Sequence, residues 1–164
     1  MGSSTAPAYA HFRSMGELAR AVCERARDLM FDFATRRYSD HVFLNMGIGT
    51  VLFARDEPRL YQALVSGGPC SRGLLDELMG SLSREMGKEP LLAPLSDEER
   101  LDLLYRMWLF THGLSTLIAA GLARETSQQS VVTLLSDVGS ATMSAALARH
   151  YSRPPLEVQK QEDQ

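Results

Sequence analysis

Apolar residues recur at helical spacing along nearly the whole chain, and nowhere does apolar–polar alternation persist long enough for a strand. The pattern predicts helices at about 4–10, 15–37, 41–54, 57–65, 72–87, 97–122 and 127–150. Three of the starts carry a Ser or Thr followed three residues later by Glu or Gln: Ser14–Glu17, Ser96–Glu99 and Thr126–Gln129. Such pairs satisfy two orphan N–H groups of a first helical turn reciprocally. Pro58 suits the first turn of its helix, where its missing N–H costs little. The stretches SGGPCSRG (66–73) and KEPLLAP (88–94) read as loops, and the polar tail from Arg153 reads as unstructured. The chain is therefore expected to be all-α, with six to seven helices.

The last two helices are too apolar for one buried face. On 97–122, Leu101, Leu104, Trp108, His112, Ser115 and Ala119 form one stripe; Leu103, Met107, Phe110, Leu114, Leu117 and Gly121 form another. On 127–150, Ser136, Gly139, Ser140, Ser144 and Ala148 are small enough to let another helix approach. A helix that is apolar nearly all round must be covered on two sides. Two helices from each of two subunits would meet in a four-helix bundle about a two-fold axis. The residues expected at that homodimer interface are Phe110, Leu114, Leu117, Gly121, Leu135, Gly139, Met143 and Ala146. The competing arrangement makes both helices the core of a monomer.

Composition narrows the class. A chain of 164 residues with 45% hydrophobic and 23% charged residues fits one globular domain. A net charge of −3 gives no electrostatic footprint for nucleic acid. The first twenty residues lack the apolar run of a signal peptide, and the most apolar segment, Trp108–Leu122, is shorter than a membrane span. A cytoplasmic protein with reduced Cys23 and Cys70 and no membrane partner is the expectation. The four histidines are scattered without metal-ligand spacing, and P-loop, GxGxxG and GxSxG motifs are absent. Neither a metal, a cofactor nor a catalytic group is expected. The acids Asp97, Glu98 and Glu99 belong at a helix start, where the dipole favours them.

What the pattern does offer is a pocket. Trp108 and His112 stand one turn apart on an apolar helix, with Thr111 and Ser115 able to add hydroxyls. Ligand pockets combine apolar walls with a few orienting polar groups. Met30 and Phe33 lie on the inward face of the long early helix, and Met46 and Thr50 fall one turn apart in the next. Gly47 and Gly49 flank Ile48 there; two helical glycines cost about 2 kcal/mol relative to alanine, which points to close packing or to room left for something. Met30, Phe33, Met46, Gly47, Thr50, Trp108, Thr111, His112 and Ser115 are thus the candidate ligand-binding residues. A weaker alternative makes His112 the base of a small enzyme.

Several segments also resemble a known family. STAPAYAHFRSMGELARAV (4–22) resembles the recognition-helix end and following helix junction of TetR-type transcriptional regulators. MWLFTHGLSTLIAAGL (107–122) resembles the Trp…His-Gly helix in the regulatory domain of one branch of them, and NMGIGTVLFARDEPRLYQALV (45–65) has a similar look. The resemblance implies a dimer with an N-terminal helix-turn-helix head and a larger ligand-binding and dimerising domain, in which a small apolar effector modulates DNA binding. It implies phosphate contacts for Tyr9 and His11, packing for Phe12, and a place for Thr5 near the start of the recognition helix. Met15 departs from the family pattern, where a phosphate-contacting Lys is common, and so does Ala10. Residues 1–13 then correspond to a remnant of the head, 14–150 to the effector-binding and dimerisation domain, and 151–164 to a flexible tail. A head of this kind needs about forty residues before its recognition helix, since the first helix braces the second. DNA binding is expected only where that head is present. The other role compatible with the resemblance is a headless protein that pairs with a full-length regulator.

Overall fold

The structure, a computed structural model, describes residues 12–66 and 71–152. Six α-helices and no strands occur among them: α1 (Met15–Ala34), α2 (Val42–Asp56), α3 (Pro58–Val65), α4 (Ser71–Met86), α5 (Asp97–Ala119) and α6 (Gln128–Ser152). A short 3-10 turn, Pro90–Leu92, interrupts the α4–α5 connection. The expected helix at 4–10, with Thr5, Tyr9 and His11, and the tail from 153 lie outside the described residues.

The helix ends follow from local chemistry. Ser96 and Glu99 form a complete capping box on α5: the Ser96 hydroxyl accepts from the Glu99 N–H, and the Glu99 carboxylate accepts from the Ser96 N–H. Replacing Ser96 by alanine is expected to cost about 1 kcal/mol, read as a lower urea midpoint with an unchanged slope. Ser14 caps α1 through the Glu17 N–H, but the Glu17 carboxylate accepts from the Arg13 N–H rather than that of Ser14. At α6 the capping side chain is Ser127, which accepts from the Ser130 N–H, one residue later than the pattern of Thr126 and Gln129 predicts.

Two helices stop earlier than periodicity predicts. α1 ends at Ala34 because the buried Asn45 side chain gathers the next turn: its Oδ1 accepts from the N–H groups of Tyr38 and Ser39, and its amide donates to the Ser39 carbonyl. α5 ends at Ala119 because Gly121 takes a left-handed conformation, φ +70°. The Gly121 and Leu122 N–H groups then close on the Ile118 and Leu117 carbonyls, satisfying the last turn. Gly121 is thus a helix terminator.

α2 is the centre of the molecule. Ten of its fifteen residues are buried, and it packs against every other helix. Its contact with α1 is a backbone contact: a Cβ built on Gly49 would lie 2.1 Å from the Phe33 carbonyl oxygen and 2.6 Å from Ala34 Cα. α5 and α6 form an antiparallel hairpin against it. The His150 ring near the end of α6 meets the Glu99 carboxylate near the start of α5 at 3.0 Å. The Ser96 N–H first, and His150 after it, hold the Glu99 carboxyl below the usual carboxylate range.

α6 turns Val131, Leu135, Gly139 and Ala146 inward. The small and apolar residues on its other side stay uncovered, and only 17% of its most apolar 18-residue window is buried. By length and composition this helix could cross a membrane, which the sequence reading had not anticipated.

Candidate ligand-binding site

Two hollows lie between α2 and α5, apart from the more open and larger clefts that border α1. The larger of the two hollows, about 250 Å³, opens between the N-terminal half of α2, the middle of α5 and the middle of α6. Phe43, Leu44, Met107, Leu135 and Met143 give it apolar walls, while Gly47 and Gly139 leave the space unfilled. Its polar groups are the Ser136 and Ser140 hydroxyls on α6, and His41 and Glu89 where α2 begins. The smaller hollow, about 30 Å³, lies toward α4 and shares Phe43, Gly47 and Met107 with the first. It is about the size of one water.

Five of the nine sequence-predicted ligand residues come together in the small hollow: Met46, Gly47, Thr50, Trp108 and Thr111. Of these only Gly47 also borders the large one. Both threonine hydroxyls are turned back onto their own helices, Thr50 to the Met46 carbonyl and Thr111 to the Met107 carbonyl, so neither presents a donor to the space. The Trp108 Nε1 is buried without a hydrogen-bond partner.

The remaining four lie elsewhere. Met30 is fully buried on the inward face of α1. Phe33, His112 and a residue the sequence reading missed, Tyr61, belong to a column of rings that crosses the core. Phe33 meets Phe53 edge-on at 5.6 Å, Phe53 meets Tyr61 at 6.4 Å, and Tyr61 lies 5.9 Å from His112. His112 stacks on Trp108 at 4.9 Å and 13°, and Tyr105 extends the stack at the surface. Ser115, fully buried, has no hydrogen-bond partner for its Oγ.

The polar link in this column is short. The Tyr61 hydroxyl lies 2.6 Å from His112 Nδ1. Burial pushes the phenol up to about 12 from its ordinary 10.0, so it keeps its proton throughout the neutral range. The hydroxyl and the ring nitrogen share one hydrogen bond across the column. His112 is an anchored member of the column and borders neither hollow.

The residues expected at a dimer interface divide in the same way. Leu135, Gly139 and Ala146 are buried within the chain against its own helices, and Leu135 and Gly139 line the large hollow together with Met143. Their face, spaced at four and seven residues, is the one α6 turns toward α2. Phe110 and Leu114 are half-buried against the core. Only Leu117 and Gly121 of that set are exposed. The outward apolar stripe is a different one: Leu101, Tyr105, Leu109 and Leu117 on α5, spaced by multiples of four, with Leu134 on α6. Isolated exposed leucines are ordinary, but a stripe at helical spacing is a patch.

No group of three or more His, Cys, Asp or Glu residues is placed to hold a metal ion among the described residues. Comparison of the chain with known protein families, curated proteins and solved structures gives no match.

Proposed function

We propose that this chain is the effector-binding and dimerising part of a transcriptional regulator of the TetR type, working in the cytoplasm as a homodimer on a small apolar effector. The observation that carries the reading is the 250 Å³ hollow between α2, α5 and α6, mostly apolar and edged by a few polar side chains. It falls just under the ~300 Å³ at which drug-sized pockets begin, so the effector is compact. The same α5–α6 hairpin that walls the hollow carries the outward apolar stripe. A ligand that binds one arrangement of these helices better than another shifts their population by its differential affinity and no more. That stripe is equally suited to a partner protein, so pairing with a full-length regulator is the alternative reading.

Gly139 gives the direct test. A Cβ there would touch nothing within 4 Å, and Gly139 lines the hollow, so a leucine at this position is expected to take up part of the space. Binding of apolar compounds is read from the fluorescence of Trp108, the chain's one tryptophan. Gly139→Leu is expected to weaken binding about tenfold or more, equivalent to roughly 1.4 kcal/mol, with the helical signal retained. Equal binding by parent and variant would remove the hollow from the proposal. Light scattering decides the assembly: a dimer at micromolar concentration is expected, and a monomer would leave the stripe to a different protein.

A further inference from the structure

Among the described residues, Glu89 is the one carboxylate on the wall of the large hollow, and it is buried, with a side chain 6% exposed. It comes from the α4–α5 connection, just before the 3-10 turn at Pro90–Leu92, and reaches the start of α2. There its Oε2 accepts from the Val42 N–H at 2.8 Å. This contact caps α2, whose own N-cap residue, His41, supplies no side-chain hydrogen bond. One oxygen therefore does the structural task. The other, Oε1, has as its closest basic neighbour the His41 Nδ1 at 3.8 Å, beyond hydrogen-bond range, on a side chain that is 62% exposed.

A carboxylate removed from water needs a counter-charge or several donors to offset its lost hydration. The helix N-terminus supplies part of this through Oε2. Glu89 lines a cavity whose other polar groups are the His41 ring, mostly exposed at its edge, and two serine hydroxyls among hydrocarbon. An anionic ligand would meet repulsion from Glu89, and a purely apolar one would displace water from Oε1 and leave it only the His41 ring, beyond hydrogen-bond range. A cationic N–H donor on an apolar body satisfies both parts of the site, because a charge-assisted hydrogen bond is about twice as strong as a neutral one.

We infer that the hollow takes a compact apolar ligand bearing a protonated amine, with Glu89 as the residue that reads the ammonium. The inference rests on the effector-pocket reading above and names the chemical class of the effector.

Three probes of one shape test it: 1-adamantylammonium, 1-adamantanol and 1-adamantanecarboxylate, each titrated at pH 7 and followed by Trp108 fluorescence and calorimetry. The ammonium is expected to bind at least about tenfold more tightly than the alcohol, and the carboxylate more weakly than either. In Glu89→Gln the amide oxygen still accepts from the Val42 N–H, so α2 keeps its cap. The preference for ammonium over alcohol is expected to collapse to within about twofold, while a general attraction of cations to the chain's net charge of −3 would survive. If the alcohol binds the parent as well as the ammonium does, the inference is overturned and the apolar pocket stands. A tenfold preference that persists in Glu89→Gln overturns the role of Glu89. If none of the three binds, the pocket reading fails and this inference with it.

Discussion

Alanine in place of Gly49 is expected to destabilise the fold by about 3 kcal/mol, the upper end of ordinary overpacking. The added methyl would lie 2.1 Å from the Phe33 carbonyl oxygen, 2.4 Å from its carbonyl carbon and 2.6 Å from Ala34 Cα. These are backbone atoms, so no side-chain rotation relieves the contact, and α1 would have to move off α2. The gain of about 1 kcal/mol from replacing a helical glycine offsets only part of this. Gly47, two residues away, is the internal control. Its added Cβ would meet Leu135 Cδ1 at 3.5 Å and Thr111 Cγ2 at 3.6 Å, ordinary contact distances. Gly47→Ala is expected to leave stability unchanged or raise it by up to about 1 kcal/mol. Urea unfolding of the two variants separates them, and equal midpoints would refute the backbone contact.

The second large effect lies at alkaline pH. In the folded chain burial raises the Tyr61 phenol to about 12, whereas in the unfolded chain it titrates near 10.0. Between these values the unfolded state releases a proton that the folded state holds. Stability is therefore fully present below pH 10 and falls as the pH rises toward 12. At 1.36 kcal/mol per unit the loss is about 2–3 kcal/mol. Tyr61→Phe is expected to begin about 1 kcal/mol lower at neutral pH, through loss of the bond to His112, and to show a correspondingly flatter decline. Urea midpoints at half-unit intervals from pH 9 to 12 provide the measurement. Parallel curves for parent and variant would mean that Tyr61 is not the group responsible.

What the sequence discloses here is largely what neighbours along the chain decide. Ser96 and Glu99 announce the start of α5 because the two partners of the box are three residues apart. The two glycines of α2 are legible as exceptions, and the structure gives them different tasks: Gly49 admits a backbone, and Gly47 leaves a space. The facing of α5 and α6 is not legible in the same way. Both are apolar nearly all round, so periodicity does not distinguish Leu135, which is buried, from Leu134, which is exposed. The interface residues expected from the sequence therefore lie mostly on the inward side. Tyr61 and His112 are 51 positions apart, and Glu89 and Val42 are 47 apart. No local pattern couples them. A glutamate between a lysine and a proline in a polar loop carries no sign that it will be buried.

The α5–α6 hairpin is fastened at both extremities, by the Gly121 turn at one and by the Glu99–His150 clasp at the other. The large hollow lies under the middle of the α6 arm, between Leu135 and Met143. If the hollow takes a guest as proposed, one too big for the space would be expected to bow that arm like a drawn string, while its tips stay pinned. Such a deflection changes the curvature of the outer surface without tilting the pair, so an abutting molecule would feel a bulge at mid-span.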